Sequence, residues 1–303
     1  MPDFDLIVVG AGVAGLTAAA IGAQHGLRVV VVAPTGAGGQ IINAERIDNF
    51  PGFPEGVAGH ELGTLLFEQA ERAGAAFMLD NAESLAVDGR TRLVRTTAET
   101  LRAGAVIIAA GSTPRGLGIP GEEKLLGKGV SHCASCDAPL FKGREVCVVG
   151  GGDTALDEAI VLATQAARVT IFHRGPRLRA QQHLQTQLAA LGNVAVECDT
   201  AVEEIVGANS VSAVRLRRGG TAGEQPMDGV FVAVGLDPAT AFVRGVLALD
   251  AAGHIETDIA LRASLDGVFA AGDIRKGSVR LLAAIAGDGA TAAISAYRYL
   301  KGR

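Results

Sequence analysis

The sequence has few cysteines, no long apolar run and no excess of basic residues. Its 303 residues include four cysteines and carry a formal charge of −5. The scattered lysines and arginines form no basic stripe of the kind that binds a phosphate backbone. Apolar runs such as residues 6–9 and 146–149 have the length of a strand, whereas a membrane span needs about 18 or more apolar residues. Nucleic acid and membrane are therefore not expected as partners.

The cysteines are too few for a disulfide framework, and only Cys133 and Cys136 have Cys-x-x-Cys spacing. In a cytosolic chain this spacing is typical of a redox pair or a metal site. Cys147 lies in an apolar run and Cys198 near a strand end, so both are predicted to be packing residues. A strand pattern follows directly after Asp5, with no secretion signal before it, and we therefore expect a cytoplasmic protein.

An internal repeat indicates two similar units. Residues 8–15 read VVGAGVAG and residues 148–155 read VVGGGDTA, and each copy opens an alanine-rich helical stretch after an apolar run. A second pair of apolar runs, residues 106–111 and 230–235, ends in glycine and is followed three residues later by proline. These runs are interpreted as the closing strands of the two units.

If the units break near these prolines, the second unit interrupts the first. We predict one domain from residues 1–113 and 238–303, and another from residues 114–237. Within the first, residues 79–102 read as short strands and residues 289–300 as a helix. The predicted fold class is α/β, with two doubly wound, Rossmann-like nucleotide-binding domains, the second inserted in the first.

The glycine spacing in each repeat fits a nucleotide pyrophosphate. In the first glycine turn, Gly10 permits a tight bend, Gly12 lets the phosphates approach the backbone, and Gly15 allows close helix packing. The second glycine turn has Gly150 and Gly152, with alanine at the third position. The helix that follows offers free N–H groups to an anion. Glycine-rich turns without a ligand are the alternative, but two turns in this setting favour two dinucleotides.

The end of the next strand indicates which nucleotide each unit binds. An acid there binds a free ribose 2′-hydroxyl, whereas arginine meets a 2′-phosphate. The second unit has His173, Arg174 and Arg179, which favours NADP over NAD, with a solvated basic turn as the alternative. The first unit has Ala33 where an acid is expected, so its ribose must be held by backbone, water or another side chain.

The dithiol box, residues 131–137, reads SHCASCD. A zinc site would need two further ligands at matching spacing, which the neighbouring sequence lacks, so no metal is predicted. A nicotinamide delivers a hydride, whereas a disulfide is opened through thiolates, and a flavin converts one chemistry into the other. The sequence therefore predicts two dinucleotides and one dithiol in a single electron path.

With these motifs the chain resembles the low-molecular-weight thioredoxin reductases, class II pyridine nucleotide-disulfide oxidoreductases, over nearly its whole length. The segments that carry the resemblance are Gly39-Gln40 with NFPG at 49–52, the Cys-Ala-Ser-Cys-Asp box, residues 150–155, His173-Arg174 with Arg179, and GVFAAGD at 267–273. The resemblance implies a homodimeric flavoprotein that passes electrons from NADPH, with NADH less favoured, through FAD to the dithiol. The electron acceptor implied is thioredoxin or a thioredoxin-like protein.

The resemblance also implies residue roles. Cys136 would lie against the flavin, Cys133 would exchange with the partner's disulfide, and Asp137 would transfer protons. The inserted domain of the family rotates, with hinges implied at residues 111–115 and 235–238. The residues implied to bind FAD are Gly10, Gly12, Val13, Ala14, Gly15, Gly39, Gln40, Asn49, Gly111, Gly272, Asp273, Arg280 and Leu281. Those implied to bind NADPH are Gly150, Gly152, Asp153, Thr154, His173, Arg174 and Arg179.

The sequence departs from the family pattern at four places. These are Ala33, Gly175, Ala138 and Arg280-Leu281-Leu282, where the family has glutamate, a second arginine, glycine and Arg-Gln-Ala. Alternatives that keep the machinery are ferredoxin or a flavin as electron donor, a small-molecule disulfide as substrate, or a dithiol oxidase that passes electrons to oxygen. A flavin-binding module without turnover is a further alternative, but it leaves the dithiol unexplained.

Overall fold

The computed structural model of the protein describes residues 3–44 and 46–302. Its strands are β1 (Phe4–Val9), β2 (Val29–Ala33), β3 (Ala76–Leu79), β4 (Ala82–Asp88), β5 (Thr91–Thr96), β6 (Thr100–Ile108), β7 (Ser112–Pro114), β8 (Val130–Ser131), β9 (Glu145–Gly150), β10 (Arg168–Phe172), β11 (Val194–Glu197), β12 (Thr200–Gly207), β13 (Val211–Arg218), β14 (Thr221–Pro226), β15 (Gly229–Ala233), β16 (Leu236–Pro238) and β17 (Val268–Ala270). Its helices are α1 (Val13–Gln24), α2 (Gly59–Arg72), α3 (Glu122–Leu125), α4 (Ala134–Asp137), α5 (Asp153–Ala163), α6 (Gln182–Ala189) and α7 (Leu282–Leu300), with 3₁₀ helices at Gly39–Asn43, Ala138–Phe141, Ala241–Val243 and Gly272–Ile274. None of the helices within these ranges is long and apolar enough to cross a membrane.

The described chain divides into two compact units. The first unit runs to Thr113 and resumes at Asp237, and the second is Pro114–Leu236. The strands β7 and β16, where the chain passes from one unit to the other and back, pair with each other. The second unit is therefore an insertion in the first.

The sheet of the first unit is parallel in the order β3-β2-β1-β6-β17. The first half of β6 pairs instead with β5, which continues antiparallel to β4. Because β17 lies in the returning segment and pairs with β6, that segment completes the sheet of the first unit. The strands β1 and β2 are almost wholly apolar, as parallel strands covered on both faces must be.

The helix α7 begins at Leu282 rather than at Gly289, where the sequence predicted its start. Gly287 and Gly289 have low helix propensity and interrupt the apolar pattern, which hides the first turns. Helix packing requires glycine at position 289, because a Cβ there would lie 2.3 Å from the backbone oxygen of Ala14 in α1. The two helices approach closely at a position that only glycine permits.

The second unit has a parallel sheet in the order β11-β10-β9-β15-β8 and an antiparallel sheet β12-β13-β14. One face of the parallel sheet packs against α5 and α6, and the other against apolar residues of β12 and β13. In both units a helix follows the first long parallel strand, β1 or β9, directly after a glycine turn. The predicted α/β fold with two Rossmann-like domains is confirmed.

Candidate active site

The first glycine turn joins β1 to α1 and leaves one open position. Gly10 has φ +108°, and a Cβ on it would lie 2.3 Å from the backbone oxygen of Ala109. A Cβ on Gly15 would lie 1.9 Å from the oxygen of Gly10. Gly12, in contrast, has no described atom within 4 Å of an added Cβ, and no described side chain caps the N-terminus of α1 there. The open backbone at Gly12 fits a pyrophosphate group, as FAD requires.

Several residues predicted to bind FAD lie around this turn. Gly39 begins a 3₁₀ helix, and an added Cβ would lie 3.0 Å from the Cα of Gly12. Gln40 donates from Nε2 to the Ser112 carbonyl at 3.0 Å. A Cβ on Gly272 would lie 3.1 Å from the Cβ of Ala14. The fold therefore brings together Gly12, Gly39 and Gly272 from three distant parts of the sequence.

Three other predicted FAD residues belong to further segments of the first unit. Val13 is buried at the start of α1. Asn49 follows an isolated bridge between Ile47 and Val57. Gly111, with φ +64°, accepts a backbone hydrogen bond from the residue that follows Pro238. The structure gives no direct contact that ties Asn49 to the glycine turn among the described residues.

A hydrogen-bonded loop runs from Asp273 to the start of α7. Ser278 donates from Oγ to the Asp273 carboxylate at 2.8 Å and accepts from the Arg280 amide at 3.3 Å. Arg280 has φ +57°, a left-handed conformation that non-glycine residues seldom adopt. Leu281 caps α7 and is exposed. Ser278, which sequence analysis did not identify, therefore orients Asp273, one of the residues predicted to bind FAD.

A buried ion pair, also missed from the sequence, supports the Gly272 turn. Arg275 donates to Asp288 through Nε at 2.6 Å and through Nη2 at 2.8 Å. The Asp288 carboxylate also accepts from the Gly272 amide at 3.0 Å. The two side chains are only 16% and 12% exposed. Asp288 therefore links α7 to the turn that carries Asp273.

We expect Asp288→Ala to destabilise the protein by about 3 kcal/mol, because it leaves the Arg275 charge buried and the Gly272 amide unsatisfied. Asp288→Asn retains an oxygen for the Gly272 amide and should cost less. Urea unfolding at one fixed FAD concentration measures both variants, since bound ligand adds to stability. A loss below about 0.5 kcal/mol for Asp288→Ala, the range of ordinary surface changes, would contradict the role given to this pair.

The position where a ribose acid is expected offers no free carboxylate. Ala33 ends β2 and is buried, and its carbonyl accepts from the Asp80 amide. The side chain of Asp80 accepts hydrogen bonds from Thr96 and from the backbone amides of Ala98 and Asn81. These bonds, with that of Thr96 the strongest, lower the pKa of Asp80 to about 2. Asp80 therefore accepts hydrogen bonds from its own neighbourhood and does not replace the glutamate that the family has at the position of Ala33.

The second glycine turn shares with the first a crowded first glycine and an open second glycine. A Cβ on Gly150 would lie 2.3 Å from the Ala233 carbonyl, whereas Gly152 has no described atom within 4 Å. The turn opens α5, and no described side chain caps that helix. Asp153 accepts from the backbone amide of Gln181 at 2.8 Å and from its Nε2 at 2.6 Å. This open backbone fits the pyrophosphate of a second dinucleotide, and Thr154 lies exposed beside it.

The predicted basic cluster adjoins the second glycine turn. His173 is buried at the end of β10, and a Cβ on Gly151 would lie 2.4 Å from its Nδ1. Burial lowers the pKa of His173, and Arg179 and Arg174 lower it further. The amide of Arg179 donates to the Gly151 carbonyl at 2.7 Å. His173 therefore packs against the glycine turn, and the exposed side chains of Arg174 and Arg179 place positive charge beside it.

Gly175 stands where the family has a second arginine, and it packs closely against His173. A Cβ on Gly175 would lie 2.9 Å from Nε2 of His173. A larger residue there would displace the histidine ring from Gly151. The departure at Gly175 is thus linked to the packing of His173 against the glycine turn.

The dithiol box folds into a short helix that holds both sulfur atoms. Cys133 and Cys136 form a disulfide with their Cα atoms 5.4 Å apart. Cys133 caps α4, and its Sγ accepts from the Cys136 amide at 3.2 Å. Ser131 accepts from the Cys133 amide at 3.0 Å, and the half-buried Asp137 closes the helix. Cys133 is half-buried and Cys136 is exposed, so a reagent or protein can reach the pair.

The other two cysteines are unpaired. Cys147 is fully buried, and burial raises the pKa of its thiol. Cys198 is half-buried near the end of β11. Neither thiol forms a disulfide, so the redox chemistry of the described residues lies with Cys133 and Cys136.

Comparison with known proteins identifies relatives along nearly the whole chain. The family described as pyridine nucleotide-disulphide oxidoreductase matches residues 4–289. Thioredoxin reductase of Streptomyces coelicolor is 39% identical over 301 residues, which cover 98% of this chain and 94% of that protein. Thioredoxin reductase of Mycolicibacterium smegmatis is 40% identical over 299 residues, which cover 98% and 96%. The crystal structure of Lactococcus lactis thioredoxin reductase has a TM-score of 0.97 at 34% identity, covering 99% of this chain and 100% of that one.

The site of this chain has two open glycine turns, a basic cluster beside the second, and a disulfide in a Cys-Ala-Ser-Cys box. The relatives confirm the resemblance, the disulfide reductase activity, and FAD and NADPH as cofactors. The chain belongs to the pyridine nucleotide-disulphide oxidoreductases, as a flavoprotein disulfide reductase of the thioredoxin reductase group.

Proposed function

We propose that the protein reduces the disulfide of thioredoxin or a thioredoxin-like protein with electrons from NADPH. The observation that carries this proposal is the accessible Cys133–Cys136 disulfide, placed in the same unit as the second glycine turn. The first unit is proposed to bind FAD and the second NADPH. A homodimer and a cytoplasmic location stay predictions.

The proposed FAD contacts are the backbone at Gly12, the 3₁₀ turn at Gly39 with Gln40, and the loop at Gly272 with Asp273. Bound FAD supplies the conversion of a nicotinamide hydride into the electron pair that opens a disulfide. The residues of the first unit hold and orient the cofactor. Asp288 and Ser278 keep the Gly272 loop in place from behind.

The thiol chemistry is proposed to use the two cysteines in turn. Reduction breaks the S–S bond and leaves one thiolate and one thiol. The Cys133 thiolate attacks the substrate disulfide and forms a mixed disulfide, which Cys136 then resolves to restore the Cys133–Cys136 bond. The Cys136 amide, which donates to Cys133 Sγ, stabilises negative charge on that sulfur. Asp137 is proposed to supply a proton to the departing substrate thiolate.

Arg174 and Arg179 are proposed to bind the 2′-phosphate that distinguishes NADPH from NADH. Replacing both with alanine should lower kcat/KM for NADPH by about 10- to 100-fold, because charge-assisted hydrogen bonds to the phosphate are lost. The value for NADH should stay within about threefold. Arg168→Ala, at the opposite end of β10, is the matched control. An equal loss with both nucleotides in steady-state assays would contradict the assignment.

The proposed substrate class is tested by following NADPH oxidation with purified thioredoxin, with a small-molecule disulfide, and with oxygen alone. Efficient turnover with thioredoxin and slow turnover with the other two supports the proposal. Preference for the small molecule would identify a small-molecule disulfide reductase. Oxygen consumption driven by a dithiol, without NADPH, would identify a dithiol oxidase.

A further inference from the structure

The helix α5 carries a carboxylate for which the proposed mechanism has no use. Oε2 of Glu158 is shut off from solvent and has no hydrogen-bond partner among the described residues. Helix α4 packs on α5, and the backbone amide of Ala134 faces the Glu158 carboxylate and lowers its pKa. Ala134 is 1% exposed and directly follows Cys133. Glu158 therefore contacts the backbone of the dithiol helix from beneath.

The strands packed against α5 surround Glu158 with apolar residues. Strands β9, β10 and β15 pack against α5 with apolar residues, namely Val146, Val148, Val169, Ile171 and Phe231. The titratable groups on the adjoining helices are Cys136 and Asp137 of α4 and His183 of α6, the last lying near Asp157. On α5 itself the other titratable groups are Asp153 and Asp157. No lysine or arginine occurs in α4, α5 or α6.

Burial in this setting disfavours the ionised form of Glu158. Burial raises the pKa of Glu158 to about 7, the Ala134 amide lowers it in part, and the charge of Asp157 raises it. Desolvation disfavours the charged form of Glu158. The Ala134 N–H group is then the main group that stabilises the ionised carboxylate. A new negative charge nearby therefore favours the protonated form of Glu158.

We propose that Glu158 is a positioning residue of the dithiol, which holds the Ala134 amide and takes up one proton when the Cys133–Cys136 disulfide is reduced. The inference rests on the proposed function in taking this disulfide as the redox pair. Two electrons, supplied by NADPH, break the S–S bond, and one proton makes one thiol and leaves one thiolate. The new negative charge on the dithiol helix disfavours ionised Glu158, which then binds a second proton from solvent.

The variants separate the two parts of this role. Glu158→Gln keeps an oxygen for the Ala134 amide but cannot titrate, whereas Glu158→Ala loses both properties. Glu123→Gln changes an exposed glutamate of the same unit and is the matched control. Permanently neutral glutamine should lower the pKa of the reactive thiol, because ionised Glu158 no longer opposes the thiolate above neutral pH.

The test is the rate of alkylation by iodoacetamide in the FAD-loaded protein, reduced chemically with a phosphine and followed for each cysteine by mass spectrometry from about pH 5.5 to 9.5. The wild type and Glu123→Gln should show two inflections in the pH profile of the reactive thiol, one near neutral pH. Glu158→Gln should show one inflection and about three- to tenfold faster alkylation near pH 8. Glu158→Ala should lose the same inflection.

A Glu158→Gln profile identical to that of the wild type would overturn the proposal. Because the reductant is chemical, this result does not depend on NADPH or thioredoxin. Failure of the proposed function would appear separately, as wild-type protein whose disulfide is reduced by the phosphine but not by NADPH.

Discussion

The variant Cys136→Ser is expected to lose at least about 1000-fold of the thioredoxin-reducing activity while its flavin is still reduced by NADPH. Serine cannot form a disulfide, and its hydroxyl is not ionised near neutral pH, so the electron path ends before the substrate. The substitution removes one sulfur from an exposed position on α4 and leaves both glycine turns unchanged. Steady-state turnover measures the reduction of thioredoxin, and anaerobic absorbance measures the reduction of the flavin by NADPH.

The paired variant Cys133→Ser tests the division of roles. With Cys136 absent, Cys133 can attack the substrate but cannot be released, so Cys136→Ser should accumulate a mixed disulfide with thioredoxin. Cys133→Ser should not. Cys198→Ser, at an unpaired thiol far along the second unit, is the control and should keep wild-type activity. A mixed disulfide trapped by Cys133→Ser alone would reverse the proposed roles.

The second large effect is expected at Gly15, where alanine should prevent stable folding of the first unit. Its Cβ would lie 1.9 Å from the Gly10 carbonyl, an overlap that requires the backbone of the turn to move. We expect a loss of more than about 3 kcal/mol, at the upper end for overpacked sites, and loss of FAD with it. Circular dichroism and urea unfolding of the purified protein measure this loss.

Gly12→Ala separates cofactor binding from folding in the same turn. No described atom lies within 4 Å of its Cβ, so the protein without FAD should be as stable as the wild type. The methyl group would instead occupy the approach to the open backbone, and FAD affinity should fall at least about tenfold. Gly36→Ala, which also meets no described atom, should change neither property. Unchanged FAD affinity in Gly12→Ala would contradict the proposed pyrophosphate site.

The parts of the site that were predicted from sequence are those that depend on local spacing. A glycine turn between an apolar strand and a helix spans six consecutive residues, and the dithiol box spans seven. The prediction of two doubly wound domains, one inserted in the other, followed from the repeat and the returning segment. These features need no knowledge of which residues meet in space.

The features that were missed depend on tertiary contacts. Asp288 is thirteen residues from Arg275 and meets it only because α7 packs beside the Gly272 turn. Glu158 reaches Ala134 only because α5 lies under the dithiol helix. The early start of α7 was hidden by glycines whose reason is the contact of Gly289 with α1. Most acidic residues in helices are exposed, so the sequence alone does not distinguish Asp288 and Glu158 from the others.

Electrons from NADPH are expected to reach the Cys133–Cys136 disulfide through bound FAD. Anaerobic titration with NADPH, combined with counting of alkylated cysteines by mass spectrometry, tests this expectation most directly. Because flavin and disulfide each accept two electrons, full reduction should need about two equivalents of NADPH per chain and should label both cysteines. Full flavin reduction after one equivalent, with Cys133 and Cys136 unlabelled even in excess NADPH, would contradict it.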